Sequence, residues 1–65
     1  MTQEQRNIIN QMNDYKRNIM YCNQKIEDNS KNLVIQEEYK RRKENLESLV
    51  KIMKKELDIL REVQA

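Results

Sequence analysis

The chain of 65 residues contains no glycine, no proline and no histidine. Glycine and proline are the strongest local punctuators of backbone structure, so little here interrupts a helix. Without glycine no Gly-rich phosphate loop can form, and without histidine no Ser–His–Asp set can be assembled. Tryptophan and phenylalanine are missing too, and Cys22 is the only cysteine. One thiol allows no internal disulfide, and with scattered carboxylates it does not make a zinc set. No apolar run approaches the ~20 residues that span a bilayer. The stretch Met1-Thr2-Gln3-Glu4-Gln5 lacks the apolar core of a secretory signal, so a cytoplasmic location is expected, where a lone thiol is ordinary. Nor is there an excess of one charge. Thirteen Lys and Arg face 11 Asp and Glu, for a net charge of +2. Residues 1–32 hold five basic and four acidic side chains, and residues 33–65 hold eight and seven. A domain that grips nucleic acid by its phosphates carries a larger, clustered positive charge.

What is present is regular apolar spacing. Ile8, Met12, Tyr15, Ile19, Cys22 and Ile26 follow one another at alternating steps of four and three, the heptad seam of a coiled-coil helix. Ahead of it, Thr2 and Gln5 match a capping box, which starts helix 1 near Gln3. Further on, Leu46, Val50, Met53, Leu57 and Leu60 form a second seam, and Leu49, Ile52, Ile59 and Val63 form another beside it. On a helix of 3.6 residues per turn these neighbouring stripes make a face wider than a two-stranded seam needs.

Between the two halves lies Glu27-Asp28-Asn29-Ser30-Lys31-Asn32. Asp, Asn and Ser side chains offer the backbone hydrogen bonds that compete with helix, so they favour caps and turns. Across this cluster the apolar phase shifts: sevens counted from Ile19 and Ile26 reach Leu33, Lys40 and Glu47, whereas the second seam runs through Tyr39, Leu46, Met53 and Leu60. A turn explains both observations. Ser30 or Asn32 would cap helix 2, with Glu37 and Glu38 near its first turn, where acids suit the helix dipole. The alternative is one continuous helix with a stammer near residue 30. Folding about residues 30–31 sets Cys22 near Tyr39, Tyr15 near Leu46 and Ile8 near Met53, with Arg42 and Lys43 covering Ile19 by their aliphatic stems.

A chain this short builds a core worth only about 3–5 kcal/mol. With disulfide and metal excluded, association is the remaining source of stability. Helix 2 outruns helix 1, so its end is expected to be left for another chain. Leu49, Ile52, Leu57, Ile59, Leu60 and Val63 are the expected partner-binding residues.

Other candidate sites have simpler readings. Lys40-Arg41-Arg42-Lys43 is the one basic cluster, yet Glu37–Arg41, Glu38–Arg42, Lys40–Glu44 and Lys43–Glu47 are all spaced to pair along a helix. Lys51, Lys54 and Lys55 are diluted by Glu47, Glu56 and Asp58. Both groups read as solvated surface. Cys22 sits on a seam and reads as a small core hydrophobe, since no histidine is there to activate it. Tyr15, Tyr21 and Tyr39 read as packing residues, Tyr21 lying off the seam within a partner's reach. No enzymatic activity and no cofactor or metal are expected.

Two families are similar in outline. The Glu38-Tyr39 pair early in helix 2, followed by Asn45-Leu46-Glu47-Ser48-Leu49, resembles the small co-chaperones of type III secretion needle subunits. The resemblance covers about a third of the chain and implies a cytosolic helical hairpin that pairs with a second chaperone to shield an aggregation-prone helical subunit. Here Leu46-Glu47 stands about one turn earlier than in that family. Length and a near-central turn resemble the plasmid copy-number regulators that dimerise as four-helix bundles and grip paired RNA loops.

The sequence therefore predicts an all-α chain: a single antiparallel helical hairpin over residues 1–65, associating into a helical bundle. Helix 1 covers about 3–28, the turn about 29–31 and helix 2 about 32–63. Its expected function is that of a non-enzymatic adaptor or chaperone subunit that packs apolar helix faces against a helical partner or a second copy of itself, with no membrane involved. The alternative is a dimeric four-helix-bundle regulator binding RNA or DNA.

Overall fold

The helix that opens the chain begins where its cap demands. In the computed structural model, which describes residues 2–64, the backbone N–H of Gln5 donates to Thr2 Oγ1 at 3.2 Å and the Thr2 N–H donates to Gln5 Oε1 at 3.3 Å. This reciprocal pair satisfies two of the donors that a helix start leaves free. Helix α1 then runs Gln3–Asp28. Helix α2 runs Leu33–Gln64. The two helices pack antiparallel as a hairpin about 50 Å long, and the continuous-helix alternative is excluded.

The turn shows how a chain without glycine reverses direction. Asn29 closes α1 at φ −109° and ψ 35°, its backbone N–H and its side-chain Nδ2 both donating to the Lys25 carbonyl, at 3.1 and 2.8 Å. The Asn32 N–H then donates to the Asn29 carbonyl at 2.9 Å. No described residue has positive φ, so the left-handed C-cap that favours glycine is not needed. Side-chain amides serve the end of α1 instead, that of Asn29 at the Lys25 carbonyl and that of Gln36 at the Ile26 carbonyl. Asn32 caps α2, its Oδ1 accepting from the Ile35 N–H at 3.3 Å. Because α2 starts at Leu33, its first turn holds no acid. Glu37 and Glu38 therefore sit one turn deeper than the dipole argument placed them. Across the turn, Gln36 Nε2 donates to the Ile26 carbonyl at 2.9 Å and ties the two helix ends together.

The core is thin. Among the described residues Met12, Cys22, Met53 and Leu57 are the buried apolar ones, and no side chain is wholly sealed off. Ile8, Tyr15, Ile19, Tyr39, Leu46, Val50 and Leu60 are half-buried along the same inner seams. Gln5 is buried too, one step of three before Ile8 on the α1 seam. Lys43 occupies an inner position of α2, half-buried, with its Nζ reaching Glu47 at 3.9 Å. The stem covers apolar surface while the ammonium stays wet, as expected for a long cationic side chain beside a core.

Candidate partner-docking face

Two helices side by side leave two broad faces, and here the two differ. On the first, a groove of about 390 Å³ is lined by Tyr21 and Cys22 from α1 and by Tyr39, Arg42, Asn45 and Leu46 from α2, with Asn18 at its edge. The same face continues to the open end of the hairpin, where Glu4 and Ile8 stand beside Glu56, Ile59 and Leu60 around a groove of about 210 Å³. On the opposite face Asn23 and Ile26 meet Lys40, Lys43, Glu44 and Glu47.

Helical spacing assigns the rest of α2 to these faces. Leu49 is four residues beyond Asn45, Ile52 seven before Ile59, and Val63 four beyond Ile59. All three share the first face, because residues three, four and seven apart lie on one side of a helix. Arg42, Asn45, Leu49, Ile52, Glu56, Ile59 and Val63 thus form an unbroken heptad seam. It lies beside the seam that holds the hairpin together, about a quarter turn around α2. Four of its members are large, apolar and open to water: Leu49 at 42% exposure, Ile52 at 54%, Ile59 at 58% and Val63 at 77%.

Of the six residues expected to meet a partner, Leu57 is 6% exposed and belongs to the hairpin's own core, while Leu60 is half-buried between that core and the open-end groove. The first turns of α1 stand level with residues 56–60, as the shared groove of Glu4, Ile8, Glu56, Ile59 and Leu60 shows. Helix α2 therefore does not outrun α1 as early as the expected pairing of Ile8 with Met53 implied.

The aromatic groove was only partly legible beforehand. Cys22 and Tyr39 share it, as folding about residues 30–31 implies. Tyr21 and Tyr39 meet edge to face, with ring centroids 6.3 Å apart. Lys25 Nζ lies 5.5 Å from the Tyr21 ring centroid, and the Arg42 guanidinium 5.2 Å from that of Tyr39. Each is a cation held over an aromatic face. The available signal was position: Tyr21 and Tyr39 stand almost equidistant from the turn. Met20, Leu33 and Val34 are further exposed apolar residues that seam counting did not single out.

The electrostatics are those of a solvated surface. Arg42 and Glu38 pair at 3.1 Å and Arg17 and Asp14 at 3.4 Å, all well exposed. Pairs of this kind contribute about 0.3–0.5 kcal/mol. Glu37–Arg41 and Lys40–Glu44, which have the same spacing as Glu38–Arg42, form no ion pair among the described residues. Cys22 is a buried free thiol. Among the described residues no group of three His, Cys, Asp or Glu side chains is placed to hold a metal ion. No described helix is long and apolar enough to cross a membrane.

The two-helix hairpin and its exposed apolar face are thus what characterise the molecule, since no protein-family model, no curated protein and no solved structure matches the chain.

Proposed function

We propose that this chain is a non-enzymatic helix-packing module, an adaptor or chaperone subunit that offers the Leu49–Val63 seam of α2 to a helical partner. One observation carries the reading. The four apolar members of that seam are exposed on a hairpin whose own buried core consists of Met12, Cys22, Met53 and Leu57. Fully burying each such side chain is worth about 1.5–3 kcal/mol, so covering the seam adds stability of the same order as the hairpin's core. The recognition mode is a helix laid against a complementary groove, read by anchors at heptad spacing. The Tyr21–Tyr39 groove on the same face supplies a hole for a partner's side chain.

The test is site-specific photo-crosslinking in the native host. A photoreactive residue at Ile52 should capture a helical protein, either another copy or a different chain. The same residue at Met20, which is 70% exposed but phased with the opposite face, should not. Equal capture from the two positions, no capture from Ile52, or capture of nucleic acid there would overturn the proposal.

A further inference from the structure

We infer that the occupant of the apolar face is a second copy of this chain, laid face to face and head to tail so that the two α2 seams run antiparallel. This deepens the proposed function and rests on it, since it names the partner of the same face.

One polar residue lies inside the apolar part of the seam. Glu56 sits between Ile52 and Ile59 and has no ion-pair partner among the described residues of its own chain. A head-to-head copy would set Glu56 against Glu56, two like charges inside a desolvated seam, an arrangement that is strongly unfavourable. A head-to-tail copy removes the conflict. With Leu49 of one copy opposite Ile52 of the other, counting along the heptads brings Glu56 to Asn45 of the second copy. Arg42 of that copy lies one step further along the same seam. Asn45 is exposed and makes no side-chain hydrogen bond of its own. Its amide and the guanidinium of Arg42 are both donors suited to a carboxylate.

The charges of the whole face have the same polarity. Near the turn stand Lys25, Arg41 and Arg42 against Asp28 and Glu38, while Glu4 and Glu56 border the groove at the open end. Head-to-tail stacking sets each basic end over an acidic one, twice by symmetry. The shapes agree as well. In this register Ile59 meets Arg42 and the Tyr21–Tyr39 groove of the second copy, whose volume is about 390 Å³. The size is adequate too. A stable dimer buries about 800 Å² on each partner, and the broad face of a hairpin 50 Å long offers that scale of surface. The product is a four-helix bundle in which α2 supplies the apolar contact, because α1 presents Asn7, Gln11 and Asn18 to the same side.

The experiment combines sedimentation equilibrium with pulsed electron spin resonance on the full chain. A spin-labelled non-natural amino acid is placed at Ser30 in one preparation and at Ser48 in another, so that Cys22 stays native. The wild type should sediment as a dimer. Ser48 labels near the middle of the bundle should lie close together, and Ser30 labels should lie about 60 Å apart at 1.5 Å per residue, beyond the 50 Å length of one hairpin because this register offsets the two copies. Glu56→Lys should weaken the dimer about tenfold or more, and Arg42→Glu combined with Glu56→Lys should restore most of the loss. Close Ser30 labels, or a dimer indifferent to Glu56→Lys, would overturn the arrangement. A wild-type monomer whose Ile52 crosslinks a different protein would overturn the second copy as occupant while the interaction module stands. A monomer with no Ile52 crosslink would remove both.

Discussion

Replacing Leu57 by alanine separates the seam that holds the hairpin from the seam that faces outward. Leu57 is 6% exposed and is one of four buried apolar residues, whereas Leu49, two helical turns away, is 42% exposed. Truncating a buried leucine costs about 2–5 kcal/mol, depending on how far the site collapses. Leu57 lies towards the open end of the hairpin, where the helices can close over a small void, so about 2–3 kcal/mol is expected. Against a core worth about 3–5 kcal/mol, that is half or more of the total. For a domain of this size each kcal/mol moves the melting temperature by roughly 4–8 °C. Leu57→Ala should therefore melt about 10–20 °C below the wild type, followed by circular dichroism at 222 nm. The loss should appear at every protein concentration. Leu49→Ala should melt like the wild type when dilute and fall behind only as concentration rises, because binding stabilises the folded state by mass action. A Leu57→Ala protein that melts with the wild type, or a dilute Leu49→Ala protein that falls as far as Leu57→Ala, would refute the assignment of the two seams.

Three further outcomes follow from individual contacts. Asn32→Ala removes the Oδ1 that accepts from the Ile35 N–H and should cost about 1 kcal/mol by thermal or urea melting, with amide exchange accelerated first at the start of α2. Cys22→Ser sets a hydroxyl in a site 4% exposed. It should lower stability by about 1–3 kcal/mol, read as an earlier thermal or urea melt; a melt that coincides with the wild type would show that the site is open to water. Fluorescence anisotropy should find unstructured RNA or DNA bound no tighter than about 10⁻⁴–10⁻⁶ M at physiological salt, and nanomolar binding abolished by Lys40→Glu or Lys51→Glu would reverse the proposed function.

The hairpin was legible because the features that specify it are local. The Thr2–Gln5 capping box, the Asp28–Asn32 cluster and the phase change between Ile26 and Tyr39 each fix backbone geometry within a few residues. They correspond to the observed start of α1, the turn and the antiparallel pairing. The absence of glycine argued weakly against a turn, and the structure shows why it need not have: Asn29 donates twice to the Lys25 carbonyl and closes α1 without a left-handed residue. Registration between the helices was less legible, because it depends on how side chains of unequal length interlock. Gln5 reads in sequence as a capping residue alone but lies buried at the α1 end of the seam, and Leu57, expected to meet a partner, is covered by the hairpin itself. Apolar spacing identified Leu49, Ile52, Ile59 and Val63 as a stripe of their own, and each of them is exposed. That the stripe shares its face with the Tyr21–Tyr39 groove is a property of the fold, reached only once α1 is set beside α2.

The account stands on one face of the hairpin being the face of association. Sedimentation equilibrium of Ile52→Asp, beside Met20→Asp and the wild type, addresses that directly, with helicity checked by circular dichroism and any native partner present. Ile52 and Met20 are exposed to similar degrees, 54% and 70%, and lie on opposite faces. Any loss of solubility or helix propensity on gaining an aspartate is therefore comparable in the two proteins. The account predicts that Ile52→Asp stays helical and sediments alone, while Met20→Asp associates as the wild type does. Association retained in Ile52→Asp, or abolished in Met20→Asp, would contradict it.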